Sequence, residues 1–303
     1  MSEHPASTAP CAIRIIGERI NPGFKSTKAL FDNEDVAGIQ ALAVKQADAG
    51  ASWLNVNIGA RALTDTEWMA TVIRAIQEVT TVPLSFDFPS KKVQEACLQA
   101  YDPAKAQGAL PLVNSITEHR WDLMELYGPY RFKVILMASE RVEAVNGAMI
   151  AKGNKSADEI YGTARRCALR LMNDYGMPAD DIIVDMSVSA IIADTEGLNR
   201  STVEAIRLIG QDPALKGVHM MGGLSNIGQQ LPPKAVDGSD LKHALECAFL
   251  TLTVPLGFDT VLGTPWRGYE VLPADHYVLA TYQNFLQQTG SNALRAVRKF
   301  YKA

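Results

Sequence analysis

Short apolar runs that read as buried strands recur along this chain, and each ends in an uncharged amide or a single carboxylate before an amphipathic segment begins. Ile15-Ile16 runs into Glu18-Arg19-Ile20-Asn21, Trp53-Leu54 into Asn55-Val56-Asn57-Ile58-Gly59, and Pro83-Leu84-Ser85-Phe86 into Asp87. Leu110-Pro111-Leu112-Val113 reaches Asn114-Ser115, Ile182-Ile183-Val184 stops at Asp185, and Val218-His219-Met220-Met221 passes through Gly222-Gly223-Leu224 to Ser225-Asn226. With two more runs at 132–137 and 258–263, the alternation amounts to about eight β/α units, which predicts a parallel sheet closed as a (β/α)8 TIM barrel. Such a barrel takes roughly 250 residues, so a chain of 303 is expected to be one domain. An open doubly wound sheet would concentrate function in a glycine-rich first turn, and Gly17-Glu18-Arg19-Ile20-Asn21 has no Gly-x-Gly-x-x-Gly.

The helical segments carry recognisable signals. Apolar residues at helical spacing over 35–49 end at Gly50, and Thr64-x-x-Glu67 has the form of a capping box opening a helix to Val79. Ser90 and Thr117 are expected to cap the helices after the third and fourth strands, and Ser156-Ala157-Asp158-Glu159 to open a further one. Another helix begins near Asn199, and a last one is predicted over 274–287. Residues 138–155 read as a loop longer than a packing connection needs, a candidate lid or docking element, and residues 1–11 as a frayed N-terminus.

Composition excludes several classes of function. The 29 basic and 33 acidic residues leave a formal charge of -4, so no global field attracts nucleic acid. No apolar stretch approaches the roughly 20 residues that span a bilayer, and the first ten residues lack a charged and apolar leader, which predicts a cytoplasmic protein with no membrane partner. The cysteines, Cys11, Cys97, Cys167 and Cys247, are far apart and never paired as Cys-x-x-Cys, so neither a zinc set nor a disulfide framework is indicated. The histidines form no His-Glu-x-x-His and no Asp-x-His-x-x-Gly, and no protein-bound metal or corrinoid is expected; His219, inside a strand, reads as a packed core residue. Lysine ends none of the strands, which disfavours a Schiff-base aldolase, and a nucleophile elbow for a Ser-His-Asp triad is missing.

In a barrel every one of the polar strand ends lies on the same rim, giving a pocket rich in hydrogen-bonding groups and poor in charge. Asp87 and Asp185 each terminate an apolar strand, where a carboxylate costs several kcal/mol unless it is paired or accepts hydrogen bonds. Either backbone amides or an arginine such as Arg19 satisfies them, or a ligand with two adjacent N–H donors does. Asn57, Asn114 and Asn226 can each donate and accept without changing charge, which suits a flat heterocycle of alternating donors and acceptors. Asn57-Ile58-Gly59 fits turn chemistry equally well.

Taken together, Gly17-Glu18-Arg19-Ile20-Asn21, Asn55-Val56-Asn57-Ile58-Gly59, Asp87, Asn114-Ser115, Asp185 and Gly223-Leu224-Ser225-Asn226 resemble the pterin-binding methyltransferases. These are the corrinoid protein:tetrahydrofolate methyltransferases and the folate-binding domain of cobalamin-dependent methionine synthase. The resemblance runs from about Ile13 to Gly263. It implies a barrel of the pterin-binding, dihydropteroate synthase-like type, a homodimer, and transfer of a methyl group between a methylcorrinoid (methylcobalamin) protein and N5 of tetrahydrofolate, giving 5-methyltetrahydrofolate. Cobalamin would be carried by the partner corrinoid protein. By position, Asp87, Asn114 and Asp185 match the pterin-ring ligands, Asn226 the catalytic asparagine near N5 and Gln229 a nearby polar residue, with Asn57, Glu18, Arg19 and Asn21 completing the pterin site. Asn55 stands where relatives often have Asp, and Phe88 follows Asp87 where Ser is common. The alternatives are a dihydropteroate synthase-like enzyme, for which Arg267 alone offers a basic residue after the last strands, and a non-catalytic folate-binding subunit.

Overall fold

The computed structural model describes residues 11–302. Eight parallel strands close into a barrel. Strand β1 (Arg14–Ile20) leads through α1 (Lys25–Asp32) and α2 (Val36–Asp48) to β2 (Trp53–Val56), α3 (Thr66–Val79), β3 (Leu84–Asp87), α4 (Lys91–Ala100), β4 (Leu112–Ile116) and β5 (Lys133–Met137). A hairpin of β6 (Glu140–Val145) and β7 (Ala148–Gly153) stands outside the barrel before α5 (Ala157–Tyr175). The wall resumes with β8 (Ile182–Asp185), α6 (Leu198–Gln211), β9 (His219–Gly223), α7 (Leu241–Thr253) and β10 (Thr260–Gly263), and the described chain ends in α8 (Tyr277–Phe285) and α9 (Gly290–Lys299). The barrel runs β1-β10-β9-β8-β5-β4-β3-β2 and back to β1, as the alternation of the sequence predicts.

Register explains why the sequence alternates as it does. Side chains two apart on a strand share a face, and one set, Ile16, Trp53, Leu112, Ile135, Ile183 and Met221 with Leu262 against it, forms a separate apolar cluster inside the barrel. Burying each such aliphatic side chain stabilises the fold by about 1.5–3 kcal/mol. The eighth strand, β3, places Ser85 at this level, level with Leu112 and Asn55, and its hydroxyl donates to Asn55 Oδ1 at 3.0 Å. The barrel interior is therefore polar on one side below the rim.

Two residues earlier on the same faces stand Arg14, Lys133, His219 and Thr260, which close the N-terminal end of the barrel with paired charges. Arg14 bonds Asp259 and Thr260, Lys133 bonds Asp180 and Asp181, and His219 lies between Asp259 (Nδ1···Oδ2 2.6 Å) and Asp180 (Nε2···Oδ1 2.9 Å). His219 is thus a half-buried member of this polar plug, bonded to two aspartates, rather than a packed core residue. Asp259 raises its pKa, burial opposes and Asp180 adds to the rise. Stability from such a group is full below the unfolded value, ordinarily 6.5, and is lost as pH climbs through the raised folded value. The melting temperature is therefore expected to fall over that alkaline window. His219→Gln should flatten the dependence and cost about 1–3 kcal/mol near pH 6, checked by thermal melts across pH; an unchanged slope in the variant would remove His219 as its source.

Several local expectations are corrected. Asp65, not Thr64, caps α3, accepting from Trp68 N, while the Thr64 hydroxyl donates to the Arg61 carbonyl. Ser90 precedes α4 without a side-chain cap bond. The connection after β4 makes a 3-10 turn, Trp121–Leu126, in place of the expected α-helix, with Thr117 Oγ1 accepting from Arg120 N at 3.2 Å. The long loop over 138–155 is the β6–β7 hairpin, closed by Asn146 and Gly147 at φ 51° and 82°, the backbone that a two-residue hairpin turn requires. Its base is tied down by Asn154, which donates to Ala138 O and Thr163 Oγ1, and by Val142 N bonding to Glu118. Ser156 forms a complete capping box with Glu159. Residues 1–10 of the expected frayed end lie outside the described residues, whereas Cys11 donates its N–H to Tyr269 O at 3.1 Å. The other three cysteines are buried.

Candidate functional site

Two residues beyond the apolar layer, the same inward faces carry Glu18, Asn55, Asn114, Met137, Asp185, Gly223 and Thr264, with Asp87 beside Asn114 in register. This layer forms the floor of the C-terminal mouth, the end at which barrel enzymes place their chemistry. Its contrast with the opposite end is physical. The N-terminal layer matches each charge with an opposite one; here two aspartates share the mouth with amides and hydroxyls.

Asp87 is oriented by two amides. Asn55 Nδ2 and Asn57 Nδ2 both donate to its Oδ2 at 3.3 Å, and Asn57 also donates to its carbonyl at 3.2 Å. Because Asn57 Oδ1 accepts from Gly59 N at 2.7 Å, this side chain serves the turn and the carboxylate at once. Asn114 follows on β4, its carbonyl held by Gln94 Nε2 and Phe88 N while no side-chain hydrogen bond occupies its amide among those described. Asp185 accepts from Ser187 N at 2.8 Å. Burial raises its pKa to about 6, the Ser187 bond works against that rise and the Asp87 charge adds to it. Although packed round on all sides, the residue keeps some accessible surface through the open mouth.

The β9 side supplies the asparagine. Gly223 ends the strand and a 3-10 turn, Leu224–Asn226, follows at once, leaving Ser225 and Asn226 exposed over the floor. A Cβ built on Gly223 would lie 3.2 Å from Asn226 Nδ2, so glycine leaves this amide room against the wall. Gln229 Nε2 donates to Asn226 Oδ1 at 2.6 Å. With its oxygen engaged, Asn226 presents its N–H groups.

Glu18 is buried behind this turn. Thr264 Oγ1 donates to Oε1 at 2.9 Å and Ser225 Oγ to Oε2 at 3.2 Å. Burial raises its pKa, and the two hydroxyls, Arg19 and Arg267 pull it back. The contacts of Arg19 and Asn21 run elsewhere. The Arg19 guanidinium lies 3.8 Å from the Phe24 ring centroid and 5.8 Å from that of Trp266, rather than against the aspartates, and Asn21 Oδ1 accepts from Gly23 N in the loop after β1. Sequence reasoning overlooked Met137 and Thr264, which the period of two after Ile135 and Leu262 marks. It also overlooked Glu246, a lone acid in the otherwise apolar Ala244-Leu245-Glu246-Cys247-Ala248-Phe249 of α7.

Among the described residues no group of three or more His, Cys, Asp and Glu is placed to hold a metal ion, and no helix is long and apolar enough to cross a membrane. The curated methylcorrinoid:tetrahydrofolate methyltransferase of Eubacterium limosum is 24% identical over 258 residues, covering 83% of this chain and 84% of that protein. Among solved structures, the dihydropteroate synthase of Thermus thermophilus in complex with 6HMPPP superposes with a TM-score of 0.54 at 17% identity, covering 90% of this chain and 94% of that one. The Xanthomonas albilineans dihydropteroate synthase with 4-aminobenzoic acid matches at 0.54 and 17%, covering 94% and 93%; these likenesses bear on the fold. Residues 18–262 match the family described as pterin binding enzyme, a span that takes in the mouth residues from Glu18 to Gly223, and the chain belongs to the pterin-binding enzymes.

Proposed function

We propose that this pterin-binding enzyme is a corrinoid protein:tetrahydrofolate methyltransferase, moving a methyl group between a methylcorrinoid held by a separate protein and N5 of tetrahydrofolate. The observation that carries the reading is the division of the mouth. Asp87, Asn114 and Asp185 line one arc, where carboxylates with no arginine or lysine partner among the described residues suit the 2-amino and N3 donors of a pterin. Asn226 stands on the β9 side with its oxygen already bonded and its N–H groups free to meet a ring nitrogen. Asn57 and Asn55 act by fixing Asp87, and Gln229 by fixing Asn226.

Methyl transfer at N5 is an in-line displacement, so the protein must hold the pterin still and stabilise charge that appears on one nitrogen. Holding two reactants in line supplies several kcal/mol of the barrier reduction, and a preorganised hydrogen bond at the nitrogen adds electrostatic stabilisation. The amide of Asn226 does not titrate, so its part is to hydrogen-bond N5 rather than to exchange a proton with it. The corrinoid is assigned to a partner protein in keeping with the methylcorrinoid:tetrahydrofolate methyltransferase that this chain is similar to. A homodimer is part of the same reading.

The dihydropteroate synthase-like alternative must hold a departing pyrophosphate. Arg267, the basic residue offered after the last strand, is engaged by Glu246 at 3.2 Å and lies 3.9 Å from Asp240. Anaerobic mixing with tetrahydrofolate and methylcobalamin, free at high concentration and bound to a corrinoid protein, tests the reading through the corrinoid spectrum. Conversion of the methylcorrinoid to its Co(I) form with equimolar 5-methyltetrahydrofolate is the expected result. Tetrahydrofolate binding with neither corrinoid form converted would leave a non-catalytic folate-binding subunit.

A further inference from the structure

Behind the mouth lies a second pair of acids that the methyl-transfer reading leaves without a task. Glu246, on α7, is 2% exposed, and its Oε2 is buried with no hydrogen-bond partner among the described residues. Its other oxygen meets Arg267 Nη1 at 3.2 Å. A buried carboxylate with an orphan oxygen is costly when ionised and much less so when that oxygen carries a proton. Glu18 is the second acid of the pair, itself buried, and it reaches the mouth through one hydroxyl, Ser225 Oγ at 3.2 Å, next in sequence to Asn226.

We propose that Glu18 and Glu246 together hold one mobile proton and that Ser225 relays it between Glu18 and N5 of the folate. The proposal rests on the methyl-transfer reading. For the methyl group to leave 5-methyltetrahydrofolate, the N5 lone pair first takes the proton of Ser225 Oγ while Ser225 takes the one on Glu18 Oε2, leaving a carboxylate. The N5–CH3 bond of the cationic centre then breaks as the CH3–Co bond forms, and the bonding pair stays on N5 as its lone pair. In the other direction N5–H becomes a positively charged N-methyl centre, and the same proton returns to Glu18. Asn226, which does not titrate, steadies N5 while the proton moves.

The surroundings favour one proton over none or two. Around Glu18 stand Arg19 on β1, Thr264, Arg267 and Tyr269 after β10, and Ser225 after β9; Glu246 faces Arg267, Glu18, Asp240 and Lys242. Arg267 is the cation both acids feel, with Arg19 acting on Glu18 and Lys242 on Glu246, yet burial still raises both acids, so full ionisation of the pair is costly in this site. Burial raises the pKa of Glu246 to about 7, with Arg267 lowering it and Glu18 and Asp240 raising it, and burial raises that of Glu18 as well. Glu246 thus exchanges a proton near neutrality, and Glu18 beside it is held above the usual carboxylate range, as a proton store for N5 requires.

The test has two readouts, one of which needs no turnover. Difference infrared titration of the folate-free protein is expected to show a carboxyl group losing its proton near pH 7 that is missing in Glu246→Gln, the isosteric variant that keeps the bond to Arg267. In single-turnover transfer from 5-methyltetrahydrofolate to a Co(I) corrinoid protein, the wild-type rate is expected to fall tenfold per pH unit above a break near neutrality. Glu246→Gln should move that break to lower pH by withdrawing a neighbouring charge. Ser225→Ala should slow the transfer at least tenfold with folate affinity within a few-fold. An unmoved break in Glu246→Gln, or an infrared titration identical to wild type, overturns the proposal and leaves the methyl-transfer reading intact. Absence of transfer by the wild-type protein at every pH overturns both.

Discussion

Asp185→Asn is expected to make the ligand-free protein more stable and to break its hold on tetrahydrofolate. The sign follows from the folded-state pKa, about 6 against an ordinary 3.8. For a carboxyl group raised on folding, the stability contributed by its proton is complete below the ordinary value and lost as pH rises through the folded one. At pH 7 the ionised side chain therefore costs the fold about 1–3 kcal/mol, since each pKa unit is worth about 1.4 kcal/mol and Ser187 N–H offsets part of the burial. Asparagine keeps an oxygen for Ser187 and has no charge to desolvate, so the midpoint of thermal unfolding should rise by a few degrees near neutrality. At pH 4 to 5, where wild-type Asp185 is itself largely protonated, the two proteins should converge.

The binding loss has the same origin. A carboxylate buried without a cation is stabilised when ligand N–H donors arrive, and charge-assisted hydrogen bonds are worth about 1.5–3 kcal/mol each. Losing one such bond and opposing an N–H donor with the Asn NH2 should weaken tetrahydrofolate at least about a hundredfold, measured by calorimetry. Wild-type affinity should decline as pH falls below about 6, and that dependence should vanish in the variant. A variant that binds within a few-fold of wild type, or that melts no higher, would remove Asp185 from the pterin edge.

The barrel was legible because burial forces it into the sequence. Ile182-Ile183-Val184 must be apolar on both faces, as Ile183 fills the barrel interior while Ile182 and Val184 pack under the helices, and the first residue released from that demand is Asp185. The hairpin was less legible. Glu140–Val145 and Ala148–Gly153 satisfy no core, so their side chains carry little of the hydrophobic period, and Asn146-Gly147 was the one signal that a tight turn joins two strands. Glu246 was hidden for the opposite reason: a single acid in an apolar helix face looks like noise until the orphan oxygen and Arg267 are placed around it. Arg19 and Asn21 share a motif with Glu18, yet the contacts they make differ: Glu18 accepts from Thr264 and Ser225, Arg19 stacks on Phe24, and Asn21 accepts from Gly23 N.

Asn226→Ala tests the division of labour around the mouth. The side chain stands at the end of a glycine-backed turn, tied by its oxygen to Gln229 and able to donate from Nδ2. Its hydrogen bond to N5 should matter most where charge is changing, in the transition state, because the bound folate gains little from a donor at a nitrogen whose charge is not yet developed. Removing one preorganised donor of this kind costs about 10²–10³ in rate, or roughly 3–4 kcal/mol of transition-state stabilisation. The transfer rate at saturating folate should therefore drop by that factor while the dissociation constant stays within a few-fold. Gln229→Ala, which frees Asn226 without deleting it, should give a smaller loss of the same kind. A variant with weakened folate binding at undiminished rate would place Asn226 in ground-state binding instead. Loss of both together would mean that the turn after β9 organises the pterin as a whole, with N5 held by its backbone rather than by the amide.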